Sequence, residues 1–277
     1  MSVFMFGPAE SDVARRLARH GRPVVWAGAV GNDELGEAHL AALAAAGVDV
    51  SYAQRDPRAA TGAAAVRILS CALHAAFVAT GPRVLYLTGV TPALGRQARS
   101  AARLALQLAA EHSALVVVDV HHRPHLWSSD EARTVLSEWA PHADVLLATH
   151  RELALCLPDP PGGTDAGAAD ANATDAGGTD VQIKELLALG PGEVVLKAAA
   201  PHPVPADGAP HTATSHAATS HTVTSYTDDG PTAALPLGTP AATPDDDTFA
   251  AGYLAGLLDG LPAAARLARA AGHPPRP

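Results

Sequence analysis

The chain has 277 residues, of which 48% are hydrophobic, enough to bury a sizeable core without disulfides. Its formal net charge is −9. That balance argues against a nucleic-acid or anionic-membrane partner but leaves room for a small anionic ligand in a local basic pocket. The opening MSVFMFGPAESD has no basic region and too short an apolar run for a signal peptide. Nor does any uncharged stretch reach the roughly 18 apolar residues of a membrane helix. A cytoplasmic protein is therefore expected. Cys71 and Cys156 lack metal-ligand spacing and lie far apart in sequence; they leave a disulfide open, with a reducing compartment the simpler reading.

Helical and strand-like patterns alternate along most of the chain. SDVARRLARHG carries Val13 and Leu17 at helical spacing, with Ser11 or Asp12 as N-cap and Gly21 beyond the end. PVVWAGAV (23–30) reads as a buried strand, and ELGEAHLAALAAAG (34–47) as a helix closed by Gly47. VDVSYAQ, GAAAVRIL and RVLYLTG (83–89) read as strands, and a long helix covers roughly 92–111. LVVVDV (115–120) is a continuous apolar run of the kind buried on both faces of a parallel sheet. DEARTVLSEW, ADVLLAT, HRELALCL, VQIKELLALG and EVVLKAA continue the alternation. Repeated units of this kind predict an α/β fold, a doubly wound and mostly parallel sheet flanked by helices, as one domain over 1–277. Residues 158–180 hold no large apolar side chain, and 201–231 include the near-repeat HTATSHAATSHTVTSYT. Both are expected to be low-complexity loops. His211, His216 and His221 lie in the second, where evenly spaced histidines have no preformed geometry for a metal.

In such a sheet ligands bind at the carboxyl ends of strands, next to helix N-termini. VGNDELG (30–36) spaces Gly31, Asp33 and Gly36 as G-x-D-x-x-G, a pattern that a tight strand-to-helix turn also explains. VDVHHRPHLW (118–127) puts Asp119, His121, His122 and Arg123 at the end of the strongest strand, where Arg123 is either a surface ion pair or a fork for an anionic substrate. Thr149-His-Arg-Glu152 follows ADVLLA, and a glutamate there commonly serves a helix dipole. Asp245, Asp246 and Asp247 open the helix TFAAGYLAGLLDG. They serve as caps, or one of them takes a proton from a substrate hydroxyl while backbone N–H groups hold a phosphate.

In this order the pieces GPAESDVARRLARHG, VVWAGAVGNDELGEAHLAALAAAGVDVS, RDPRAATG, LYLTGVTPALG, VVVDVHHRPHLW and DDDTFAAGYLAGLLDG resemble the ribokinase-like (PfkB) carbohydrate kinases. Among these, GPAESDVA, LTGVTPALG and DVHHRPHLW look most like 2-dehydro-3-deoxygluconate kinases. The resemblance implies ATP and Mg2+ as cofactors and transfer of the γ-phosphate to a hydroxyl of a sugar or sugar acid. It implies Asp247 as catalytic base, Gly7, Asp12 and Arg123 on the substrate, Lys197, Asp245 and Asp246 at the nucleotide and phosphate, and Glu152 organising magnesium. It also implies a β lid, here reduced to strands at about 48–70, and a homodimer paired through that lid, an implication the shortened lid weakens.

The chain also departs from the family pattern. Pro244-Asp245-Asp246 stands where the family has Gly-Ala-Gly, which removes one N–H donor and adds two carboxylates that repel phosphate. Ala198-Ala199-Ala200 replaces a glycine-containing nucleotide loop. The start of the chain so close to GPAESD implies that the family's first strand is missing, and its end soon after GLPAAARLARAAG that a last helix is. The alternative to a working kinase is a catalytically impaired pseudokinase that binds a small molecule or a partner.

Overall fold

A computed structural model describes residues 2–61, 70–158, 176–197, 222–237 and 244–272. Its centre is a sheet of eight strands: β1 (Val3–Met5), β2 (Val24–Trp26), β5 (Val84–Thr88), β6 (Leu115–Asp119), β7 (Val145–Thr149), β8 (Glu193–Lys197), β9 (Thr222–Thr227) and β10 (Gly230–Pro236). Their order across the sheet is β10-β9-β8-β7-β6-β5-β1-β2. All pairings from β2 through β8 are parallel, and β9 and β10 are added antiparallel at one edge. This is the mostly parallel sheet flanked by helices that the sequence predicts.

The strands read as apolar runs because both faces are covered. Successive side chains point to opposite faces. Phe4, Leu85, Leu87, Val116 and Val118 join one buried cluster with α3 (Ser70–Thr80), α5 (Arg96–Glu111), α6 (Ser129–Trp139) and α7 (Ala176–Leu189). Val3, Met5, Val84, Tyr86, Val117 and Val195 join the other, with α1 (Glu10–Arg19), α2 (Glu34–Ala45), α8 (Asp246–Leu258) and α9 (Ala263–Ala270). Two further residues of the second face matter for the site. Asp119 and Lys197 lie one alternation beyond Val117 and Val195, so they emerge at the strand ends beneath the start of α8. A single turn, α4 (Val90–Ala93), follows β5.

Several expectations need correction. Strand β1 exists and sits inside the sheet between β2 and β5, so the first strand is not missing. Its three residues are fully buried, which is why so short a segment holds its place. PVVWAGAV is two strands: β2 in the main sheet, and β3 (Ala29–Gly31), which pairs with β4 (Gln54–Asp56) in a separate two-stranded sheet. VDVSYAQ is mostly irregular, with an isolated bridge from Asp49 to Val25, and strand begins only at Gln54. GAAAVRIL, the second of the expected lid strands, lies outside the described residues, as do His211, His216 and His221. Helix α1 starts before its predicted caps, with Ala9 at the N-cap position and no side-chain cap. The segment 201–231 is not loop throughout. From Thr222 it is strand, because β-branched Val223, Thr222 and Thr224 suit a pleated edge and β8 offers unpaired backbone. Likewise α7 begins at Ala176, inside the other predicted loop.

The G-x-D-x-x-G pattern is a structural tie. Asp33 caps α2 by accepting from the Gly36 N–H (2.8 Å), and it also accepts from the Thr61 N–H (2.8 Å) and hydroxyl. A side chain at Gly31 would meet the Ala59 carbonyl at 2.5 Å, so the close approach of the two segments needs glycine there. Among the described residues no helix is long and apolar enough to cross a membrane. Cys156 is a buried free thiol.

Candidate active site

The strand register brings the candidate residues to one edge. Thr88 pairs with Asp119 across β5 and β6, and Thr149 pairs with Lys197 across β7 and β8. Lys197 is 2% exposed and Asp119 fully buried, and Lys197 Nζ donates to Asp119 Oδ1 at 2.6 Å. Tyr86, on β5, donates its hydroxyl to Asp119 Oδ2 at 3.2 Å. Above this pair comes the start of α8. Lys197 Nζ lies 3.4 Å from Asp246 Oδ1, and Arg123 lies 3.9 Å from Asp246 Oδ2. Burial would lower the pKa of Lys197, but Asp119 and Asp246 outweigh it and hold the ammonium above its ordinary value. Burial opposes ionisation of Asp246 too, yet Lys197, His121 and Arg123 hold its carboxyl below the usual range. His121 is pushed down to about 4 by burial and by Lys197, so near pH 7 its ring is neutral and accepts a hydrogen bond from Arg123.

The three consecutive aspartates have three different surroundings. Asp245 is the N-cap, accepting from the Thr248 N–H (2.8 Å) and hydroxyl (2.9 Å) and reaching Arg16 at 3.3 Å on the surface. Its oxygens are engaged by the cap and by Arg16 rather than by Lys197. Asp246 faces Lys197 and Arg123. Asp247 is half-buried and has no hydrogen-bond or ion-pair partner among the described residues. Burial, then the charges of Asp12, Asp245 and Asp119, push its carboxyl up to about 6 against the pull of Arg16. A lone carboxylate with that pKa suits proton abstraction near neutral pH. The N–H groups of Asp246 and Asp247 have no acceptor among the described residues, so the helix mouth retains two donors for an anion although Pro244 supplies none.

The remaining predicted residues split. Asp12 lies in the first turn of α1, paired with Arg15, and its charge reaches Asp247. Glu152 accepts from the His122 N–H (2.8 Å), the Thr149 N–H (2.8 Å) and the Thr149 hydroxyl (2.9 Å). It stitches the loops after β6 and β7 together, and both oxygens are engaged. Among the described residues no group of three or more His, Cys, Asp or Glu is arranged to hold a metal. This donor set does not fit a resident protein-ligated ion. It fits magnesium carried on nucleotide phosphates, a state in which the ion keeps several waters. In this structure Glu152 ties the loops after β6 and β7 together.

Gly7 belongs to a neighbouring latch that sequence reasoning missed. Its φ is +100°, a side chain there would meet Thr91 Oγ1 at 2.4 Å, and its carbonyl accepts from Trp26 Nε1 at 2.8 Å. Beside it, fully buried Glu10 accepts through Oε1 from the Thr88 N–H (3.0 Å) and hydroxyl (2.9 Å), and Thr91 Oγ1 is 2.8 Å from both its oxygens. The latch pins α1 to the ends of β5 and α4. Its sequence signal was an acidic residue two positions after Pro8, inside an otherwise small-residue motif.

Burial pushes the Glu10 carboxyl up to about 7, only partly countered by its threonine partners. A carboxyl raised in this way stabilises the fold fully below its ordinary value of 4.5 and loses that contribution as pH rises to about 7. The loss amounts to about 3 kcal/mol. A glutamine amide at this position would place an N–H where the protonated acid has its O–H. Relative to wild type, Glu10→Gln is therefore expected to gain about 3 kcal/mol in stability between pH 4.5 and 8. Urea unfolding at both pH values measures it, and equal differences at the two would refute the buried-acid assignment.

Residues 6–70 match the model for the pfkB family carbohydrate kinases. A 2-dehydro-3-deoxygalactonokinase from Haloferax volcanii is 28% identical over 174 residues, covering 56% of this chain and 54% of that protein, so the match spans about half the relative's length. The crystal structure of a PfkB protein from Polaromonas sp. JS666 superposes with a TM-score of 0.73 at 25% identity, covering 98% of this chain and 94% of that one. A 2-dehydro-3-deoxygluconokinase from Thermotoga maritima gives a TM-score of 0.68 at 20% identity over 98% and 91% of the two chains, a likeness of fold.

Proposed function

We propose that this chain, a relative of the pfkB carbohydrate kinases by fold and by sequence, transfers the γ-phosphate of ATP to a hydroxyl of a 2-dehydro-3-deoxy sugar acid. The observation that carries this reading is Asp247. It is a half-buried carboxylate with a pKa of about 6 and no partner among the described residues, at a helix mouth with two free N–H groups. In this reading Asp247 takes the proton of the acceptor hydroxyl. The oxygen then bonds to the γ-phosphorus as the bond to the β-phosphate oxygen breaks, releasing ADP. Magnesium on the nucleotide offsets the charge that develops on the transferring group.

A sugar acid rather than a neutral sugar is supported by Arg123. Its guanidinium is partly exposed at the strand ends, and a guanidinium fork matches a carboxylate. Gly7 and Asp12 would border the acceptor from the α1 side, and Lys197 and Asp246 the phosphate. The non-catalytic alternative finds no support among these relatives, two of which carry kinase names.

The test follows ADP release from magnesium-ATP with 2-dehydro-3-deoxygluconate, 2-dehydro-3-deoxygalactonate, ribose and fructose. Release with the sugar acids is the expected result. Release only with the neutral sugars would overturn the acceptor class, and no release with any of the four would overturn the kinase reading.

A further inference from the structure

We infer that the Asp246 carboxylate is the resident occupant of an anion site built by Lys197 and Arg123, and that a phosphate group binds there only by displacing it. The inference deepens the kinase reading and rests on it for the identity of the incoming anion.

The first argument is charge balance. Two cations, Lys197 and Arg123, face two carboxylates, Asp119 and Asp246. His121 adds no charge near pH 7, because it is neutral; it accepts from Arg123, and its Nε2 lies 3.5 Å from Asp246 Oδ2. The cluster is therefore balanced without any ligand. A phosphate that joined it would leave an excess of negative charge in a partly buried place, with Asp247 adding more.

The second argument is that the two carboxylates are held unequally. Asp119 lies at 2.6 Å from Lys197, fully buried and steadied by Tyr86. Asp246 lies at 3.4 Å, its side chain 24% exposed, on the first residue of α8. When Asp246 leaves, Lys197 keeps a partner and Asp246 finds water. Its departure needs only side-chain rotation at the start of α8, where the N–H groups of Asp246 and Asp247 have no acceptor among the described residues. Those N–H groups, Lys197 and Arg123 together make an anion site that the chain fills with its own carboxylate.

Titrating inorganic phosphate without magnesium by calorimetry tests the inference, comparing wild type, Asp246→Asn and Asp245→Asn. Asp246→Asn keeps the shape and removes the competing charge, so it is expected to bind phosphate at least tenfold tighter than wild type. Asp245→Asn makes the same change in net charge one residue away, where the side chain caps α8, and asparagine caps equally well. It is expected to change phosphate affinity less than threefold. Equal tightening in both variants would reduce the effect to general electrostatics and overturn the inference, as would no tightening in Asp246→Asn. Thermal melts of each variant verify folding. Phosphate binding needs no turnover, so tightening in Asp246→Asn with no ADP release on any sugar would leave this inference standing and the kinase reading refuted. Turnover on a sugar acid with unchanged phosphate affinity would do the reverse.

Discussion

Asp247→Asn is expected to lower ADP release on the accepted sugar acid by about 10²- to 10⁴-fold, the range a positioned general base contributes. Binding of nucleotide and sugar should change much less, since the side chain acts on a proton. The wild-type kcat/KM should rise with pH and level off above about 6, where the Asp247 carboxyl is ionised, and the variant should lack that limb. Stability separates this loss from unfolding. The folded-state pKa of Asp247 is raised, so its contribution to stability is lost as pH climbs through about 6, and a neutral asparagine escapes that loss. At pH 7.5 the variant should melt no lower than wild type. Retention of more than a tenth of the activity would dismiss Asp247 as the base.

Lys197→Met carries the largest expected effect on stability. It would strand Asp119, fully buried, with only the Tyr86 hydroxyl for company. Breaking a buried ion pair by removing one partner costs about 3–5 kcal/mol, because the remaining charge is neither solvated nor paired. For a chain of this size that corresponds to a fall in Tm of about 10 °C. Asp119→Asn combined with Lys197→Met should recover much of the loss, since no charge is then stranded. Thermal unfolding of the single and double variants measures both numbers. A fall below about 1 kcal/mol in the single variant would mean that water reaches Asp119 and that the pair is not the floor of the site.

Much of the fold was legible because it rests on short-range patterns. The runs VLYLT and LVVVD read as strands covered on both faces, and ELGEAHLAALAAAG shows its terminating glycine locally. The strand at Thr222–Thr227 was hidden by composition. It is made of threonine, serine and valine that would not hold alone, and it persists because β8 supplies a pairing edge and Glu193 accepts from the Ser225 hydroxyl at 2.6 Å. β1 was hidden by its length, since three residues carry no periodicity and their stability comes from neighbours distant in sequence. The site was half legible. Asp247, Arg123 and Lys197 stand at strand ends or a helix start where sequence reasoning sends them, whereas the Glu10 latch joins residues 78 and 81 positions apart.

The amino-acid sequence by itself determined that this chain builds an α/β sheet with charged residues at its strand ends and three acids at one helix mouth. It did not say which acid does what. Successive residues of a helix point about 100° apart, so adjacent, chemically identical side chains enter different surroundings as soon as the helix docks. Docking of α8 against α1 and over β6 and β8 turns Asp245 toward Arg16, Asp246 toward Lys197 and leaves Asp247 half-buried without a partner among the described residues. That division is set by where the helix rests on the sheet, a property of packing between segments far apart in the chain.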